Sequence, residues 1–320
     1  MRKNLSLIGA ATDLGQKKAG TELAPSWMRL KGMGNTLTRK FFSVTDIGDL
    51  TPLHQPTQRG KDHQAIAIYN KRLMEVCREG LNKDQTVLTL GGDHSIAIGT
   101  LSASLLHNPD TKVVWVDAHA DLNTPETSPS GNVHGMPLAF FFGLVNDSPM
   151  AELFSWVPKL KKENLVYIGL RDVDQGEREF IKSLGITSYY AEDVLEMGID
   201  KVLAETKVQL FPNGDEAVHL SFDVDGLDPR FIPATGTPVD GGLHLLDGQK
   251  IIHFLATQSE LISFDLVEVN PMLGTTQQEL ETTEASVLNL LESLPAWNEL
   301  DLPLNEMILR RTVSSSEVLN

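Results

Sequence analysis

Cysteine is almost missing from this chain: Cys77 stands alone among 320 residues. No internal disulfide can form, and a structural zinc site built on thiolates is excluded. Cys77 shares a stripe with Ile66, Tyr69, Leu73 and Val76, spaced as one face of a helix over 62–80. No histidine follows it in a recognisable pairing, so it reads as a packed core thiol and not as a nucleophile. Basic residues are also scarce, 27 against 43 acidic ones, for a formal net charge of −16. That balance argues against nucleic acid or an anionic membrane as partner and suits metal cations and a cationic substrate. No apolar run is long enough to span a membrane. The opening MRKNLSLIGAAT only superficially mimics a signal peptide. Asn4 and Ser6 break its apolar part, Gln16-Lys17-Lys18 follows, and NLSLIGA reads as a first strand, which makes the cytoplasm the expected compartment. Internal repeats, low-complexity tracts and linker-like stretches are lacking too. The chain is longer than the usual single core, yet the α/β alternation is continuous. One domain over residues 1–308 is expected, with a polar tail over 309–320.

What the chain does have is a set of five acidic or histidine-bearing clusters, each at the end of a short apolar run. They are GGDHS (91–95), DAHAD (117–121), GLRDVDQGE (169–177), SFDVDGLDP (221–229) and DLVEVNP (265–271). The preceding runs TVLTL, KVVWV, LVYI, AVHL and LIS are short and rich in β-branched residues, as buried parallel strands are. Further strands are expected in FFSVTDIG (41–48) and ITSYY (186–190), and TPLHQPTQRG (51–60) is a loop by its prolines. Helices are expected near 25–32, over 62–80, 95–106, 176–184, 192–206 and 247–258, and over 284–294. The fold class is therefore α/β, a single-domain parallel sheet of about eight strands flanked by helices. In such sheets ligands bind outside the carboxyl ends of the strands, so the five clusters should converge on one crevice.

That crevice would hold His94, Asp117, His119, Asp121, Asp223 and Asp225. In DAHAD, residues i, i+2 and i+4 of a strand running into a loop point the same way, and Asp223 and Asp225 repeat the spacing. So many imidazoles and carboxylates together repel or compete for protons unless cations sit among them. Mixed nitrogen and oxygen ligands without sulfur suit Mn²⁺, Co²⁺, Zn²⁺ or Fe²⁺ over Ca²⁺. Serving two metals with these side chains would require Asp117 and Asp223 to bridge.

GGDHS, DAHAD and SFDVDGLDP, in this order and with these gaps, resemble the metal motifs of the ureohydrolases. SGNVHG (130–135), GLRDVDQGE and ATGTPVDGGL (234–243) narrow the resemblance to the arginase family, and it runs from about Leu7 to about Leu290. It implies a parallel-sheet α/β domain with two divalent ions, Mn²⁺ first and Co²⁺ as the alternative. It further implies hydrolysis of L-arginine to L-ornithine and urea, through attack of a metal-bridging hydroxide on the guanidinium carbon. By the same resemblance His94, Asp117, Asp121 and Asp223 bind one metal, and Asp117, His119, Asp223 and Asp225 the other. Asp121 steadies the hydroxide's proton, His134 shuttles protons, and Glu268 holds the guanidinium with Thr237 nearby. Asn123, Ser128, Ser130 and Asn132 match the residues that receive the α-carboxylate, with Ser128-Pro129 where the family usually has threonine. Asp174 and Glu177 match the α-ammonium site. Asp172 is expected to be structural, and Arg171 to pair with an acid of its cluster. The family commonly forms homo-oligomers, trimers or hexamers.

Three rivals compete: another ureohydrolase, a metallophosphoesterase, and a non-enzyme metal-binding or regulatory protein, against which stands the presence of every residue needed for catalysis. An agmatinase would not need the donors of the 123–135 loop, because agmatine has no carboxylate. A formimino-amino-acid hydrolase would underuse Glu268. A metallophosphoesterase shares the D-x-H start, but its motifs would run in a different order and the chain has little positive charge for a phosphate.

Overall fold

In the computed structural model, residues 3–146 and 148–297 are described; the tail expected over 309–320 lies outside them. Eight strands form one sheet: β1 (Asn4–Ala10), β2 (Ser43–Leu50), β3 (Gln85–Leu90), β4 (Lys112–Val116), β5 (Leu165–Leu170), β6 (Thr187–Tyr190), β7 (Ala217–Asp223) and β8 (Glu260–Val267). Their spatial order is β2-β1-β3-β8-β7-β4-β5-β6, and every pairing is parallel.

A strand buried on both faces must be apolar at consecutive positions, and that is what the runs ahead of the clusters are. Successive side chains then serve opposite cores. Val113 and Trp115 of β4, with Leu165 and Tyr167 of β5, join one core. Val114, Val116, Val166 and Ile168 join the other. The first core is covered by α3 (His63–Leu81), α4 (Ala97–His107), α5 (Pro137–Phe142), α6 (Pro149–Leu153) and α7 (Gln175–Leu184). The second lies under α1 (Ala24–Leu30), α2 (Met33–Lys40), α8 (Ala191–Met197), α9 (Ile199–Leu210), α10 (Leu245–Gln258) and α11 (Gln277–Glu292). Cys77 is buried in the first core, where burial pushes its thiol pKa up.

Several boundaries differ from expectation. The helix expected over 192–206 is two helices, because Gly198 adopts φ 81 between α8 and α9. The helix expected over 284–294 begins earlier, at Gln277, where Thr276 and Glu279 form a capping box. The strand expected over 41–48 is Ser43–Leu50. Helices α5 and α6 were not expected: PLAFFF has no helical period because it is buried nearly all round, and Gly143 at φ 67 stops it. Among the described residues no helix is long and apolar enough to cross a membrane.

The sheet order does the functional work. The five strands that precede the clusters, β3, β8, β7, β4 and β5, are contiguous in it. Clusters scattered over some 180 residues of sequence therefore line up along one edge, as the carboxyl-end rule requires.

Candidate metal centre and adjoining cleft

His94 follows β3 and is 1% exposed. Its Nε2 meets Ser221 Oγ of β7 at 2.9 Å, and its ring stacks on Trp115 of β4 with centroids 4.2 Å apart. Those two contacts turn Nδ1 toward the acids. Asp121 Oδ2 lies at 3.0 Å, Asp117 Oδ2 at 3.1 Å and Asp223 Oδ2 at 3.2 Å. A second imidazole, His119, places its Nδ1 3.3 Å from both Asp117 Oδ1 and Asp225 Oδ2. The two oxygens of Asp117 thus face two different imidazoles. Trp115 Nε1–H donates to Asp117 Oδ2 at 3.0 Å, the Asp225 N–H donates to Asp223 Oδ1 at 2.9 Å, and Thr237 Oγ–H donates to Asp225 Oδ2 at 2.9 Å. Two overlapping trios result, His94–Asp117–Asp121 and Asp117–His119–Asp225, each compact enough to hold one ion.

The electrostatics point the same way. Burial alone would lower the His94 pKa, but Asp117, Asp121 and Asp223 raise it well above the usual imidazole range. His119 is raised likewise: burial opposes the rise, and Asp225 and Asp117 outweigh it. Burial together with the Asp117 charge pushes Asp121 up to about 6, and burial with Asp225 and Asp117 raises Asp223 well above its ordinary value. Carboxylates this close cannot all stay ionised without cations between them. The donor chemistry fits divalent ions. His94 Nδ1 is buried with three carboxylate oxygens around it, yet makes no hydrogen bond to any of them. An unpaired imidazole nitrogen among carboxylate oxygens is a ligand set for a borderline transition metal.

Beside the trios lies a cleft of about 290 Å³ lined by His119, Asp121, Asp223, Thr237 and His134 together with Asn123, Ser128, Ser130, Asp174 and Glu177. Asn123 Nδ2–H donates to Asp174 Oδ2 at 2.9 Å. Ser130 Oγ accepts the Asn132 N–H at 3.1 Å, and Ser128 Oγ accepts the Gly131 N–H at 2.9 Å, so the serines shape their own loop. Glu177 is buried and accepts the N–H groups of Leu122 and Asp174, each at 2.9 Å, while burial pushes its pKa up to about 7. It therefore caps α7 and faces the cleft together. Asp172 stands at the cleft with its side chain 70% exposed, 3.8 Å from His119 Nε2.

Glu268 and Asn132 are not in the cleft lining. Glu268 follows β8 at φ 65, is 2% exposed and has a partner on each oxygen. Its Oε1 accepts the His94 N–H at 2.9 Å and faces His134 Nδ1 at 3.2 Å; its Oε2 accepts Gln16 Nε2–H at 2.8 Å. Burial would raise its pKa, but His134 and these donors bring it below its ordinary value. Burial lowers the His134 pKa, but Glu268 together with Asp121 and Asp93 outweighs it, with a net rise. Asp121, at φ 50, shares with Glu268 a left-handed backbone that few non-glycine residues adopt.

Comparison with known proteins agrees. The model of the arginase family matches residues 3–294. The hepatic arginase of Aquarana catesbeiana is 42% identical over 298 residues, covering 91% of this chain and 92% of that protein. The structure of the Bacillus subtilis arginase superposes with a TM-score of 0.82 at 37% identity, covering 94% of this chain and 99% of that one. The Entamoeba histolytica arginase, solved in complex with L-ornithine, gives 0.83 at 32% identity, covering 92% and 98%. The chain belongs to the arginase family. A binuclear divalent metal centre goes with that family, and the two trios are where this member could hold it.

Within this arginase-family site three residues escaped the motif reading. Ser221 and Trp115 lie inside strands and look like core filler; Ser221 meets His94 only through the sheet order β3-β8-β7, while Trp115 reaches Asp117 two residues along its own strand and stacks on His94. Gln16 lies in a loop with no motif. One expectation is corrected. Among the described residues Arg171 forms no ion pair with an acid. Its guanidinium donates to the carbonyls of Asp225 (2.6 Å), Gly226 (3.1 Å), Leu227 (3.1 Å), Gly169 (3.2 Å) and Val239 (2.8 Å). The turn carrying Asp225 leaves carbonyls without partners, and the five-donor fork of arginine satisfies them where an acid could take only part of it.

Proposed function

We propose that the chain is an arginase, a hydrolase converting L-arginine to L-ornithine and urea. The cleft carries this reading: His119 and Asp121 of the trios share its lining with a carboxylate beside amide and hydroxyl groups, as an α-amino acid demands. Asp174 and Glu177 would take the α-ammonium. Asn123, Ser128, Ser130 and Asn132 would take the α-carboxylate. His94, Asp117, His119, Asp121, Asp223 and Asp225 would hold two ions, with Asp117 and Asp223 bridging. Mn²⁺ is the first choice for such oxygen-rich, sulfur-free ligands, with Co²⁺ accepted by the same set. Bound ions would supply an activated water as the nucleophile for the guanidinium carbon.

The chain's own residues do the rest. Glu268, held ionised, orients the guanidinium over the centre by a charge-assisted contact. Asp121 lines the cleft beside His94, placed to accept a proton from the attacking water and to pass it on. His134 lines the cleft and touches Glu268, so it can carry a proton between solvent and the departing amine. We also place the protein in the cytoplasm, from its composition, and read it as a homo-oligomer, a trimer or hexamer.

Urea release from arginine with added Mn²⁺ tests the reading, with agmatine as the control. Agmatine leaves the carboxylate donors unpaired at about 1–3 kcal/mol each. Its kcat/KM should be lower by about two orders of magnitude. Comparable values for the two substrates would make agmatinase the better description.

A further inference from the structure

The loop after β1 reaches the centre of the site. Gln16 is 2% exposed, and its amide occupies Oε2 of Glu268, while Oε1 is held by the His94 N–H. The terminal torsion of a glutamate is broad, so one anchored oxygen leaves the carboxylate plane free to rock. A donor on each oxygen fixes it. The loop itself is pinned. The Gly15 N–H donates to Asp93 Oδ2 at 3.0 Å, and the His134 N–H donates to the Gly15 carbonyl at 3.0 Å. Gln16, His134 and Glu268 therefore keep one mutual geometry. Gly236 closes the other side: a Cβ there would stand 3.3 Å from Gln16 Oε1 and 3.4 Å from Glu268 Oε2, and Lys18 Nζ binds its carbonyl.

We propose that Gln16 is a positioning residue for the guanidinium, fixing the plane of the Glu268 carboxylate through a loop that also sets the His134 backbone. This rests on the arginase reading and on Glu268 as the partner of the guanidinium. Gln16 makes no hydrogen bond to the trio residues among the described residues, so its loss should leave metal binding alone.

Gln16→Leu keeps the side chain's size and removes the donor. On metal-loaded protein, calorimetry with guanidinium chloride should show binding weakened about tenfold or more. L-Norvaline, which carries the amino-acid end and no guanidinium, should bind within about twofold of the parent, because among the described residues the Gln16 side chain bonds Glu268 and none of Asn123, Ser128, Ser130, Asp174 and Glu177. Metal content should match the parent, and kcat/KM for arginine should fall about tenfold or more. If Gln16→Leu does not fold, Gln16→Met makes the same test with a more adaptable side chain. Parallel loss of both ligands, or loss of metal, would reveal a merely structural residue and overturn the proposal. Unchanged guanidinium binding in a parent that hydrolyses arginine would overturn it alone. A parent that releases no urea from arginine would overturn the arginase reading and this inference with it.

Discussion

At the scale of single residues, each oxygen of Asp117 faces a different imidazole, which suits it to bridge two ions. Asp117→Asn should therefore cost both ions, whereas His94→Ala should leave about one per chain, because it removes a ligand from one trio only. Metal analysis of the purified variants decides this, and two tightly held ions in Asp117→Asn would exclude the bridging role. His134 belongs to no trio. His134→Ala should keep full metal content and near-parental arginine affinity while lowering kcat by about 10²–10⁴-fold, the usual range for a lost acid–base group. Added imidazole should restore part of the rate. Loss of metal in this variant would make His134 structural or a ligand.

At the scale of elements, the strands were the most legible part. A run such as KVVWV is too short for a helix and apolar on both faces, so it announces a buried parallel strand, and its flanking acids announce the carboxyl end. The motif residues were legible for the same reason: DAHAD carries spacing and chemistry together. Trp115 and Ser221 were not, because their contacts with His94 exist only once the sheet order sets β3, β8, β7 and β4 side by side along one edge. Gln16 was not, because a loop residue has no period to betray it. Nor could the register of helices be read where one glycine decides it. Gly198, at φ 81 and ψ 140, makes the corner between α8 and α9. Side chains are rarely accommodated there, so Gly198→Ala should cost about 1–3 kcal/mol. Denaturant melts should show the loss without a change in metal content; a neutral result would mean that α8 and α9 can fuse into the single helix that their composition suggests.

At the scale of the whole molecule, protons and metals compete. In the metal-free protein the acids hold His94 and His119 protonated well above an ordinary imidazole pKa. Raised folded-state values of this kind give stability that is full below about pH 6.5, the unfolded value, and lost as pH rises toward the folded one. The raised Asp121 and Asp223 act in the same direction. Metal binding needs those imidazole lone pairs, so loading must release protons and tighten as pH rises. A chelator should then lower Tm more at about pH 9 than at about pH 6. Calorimetric loading in buffers of different ionisation enthalpy would count the protons, and a Tm gap that does not widen with pH would contradict the linkage. The lone thiol carries a different consequence. Cys77 is 1% exposed and its pKa is raised. A reactive thiolate is thus not presented to solvent, and the native protein should be blank to maleimides. One cysteine introduced at an exposed position such as Leu195 would be the sole site for a fluorophore or spin label, with no native thiol to remove first.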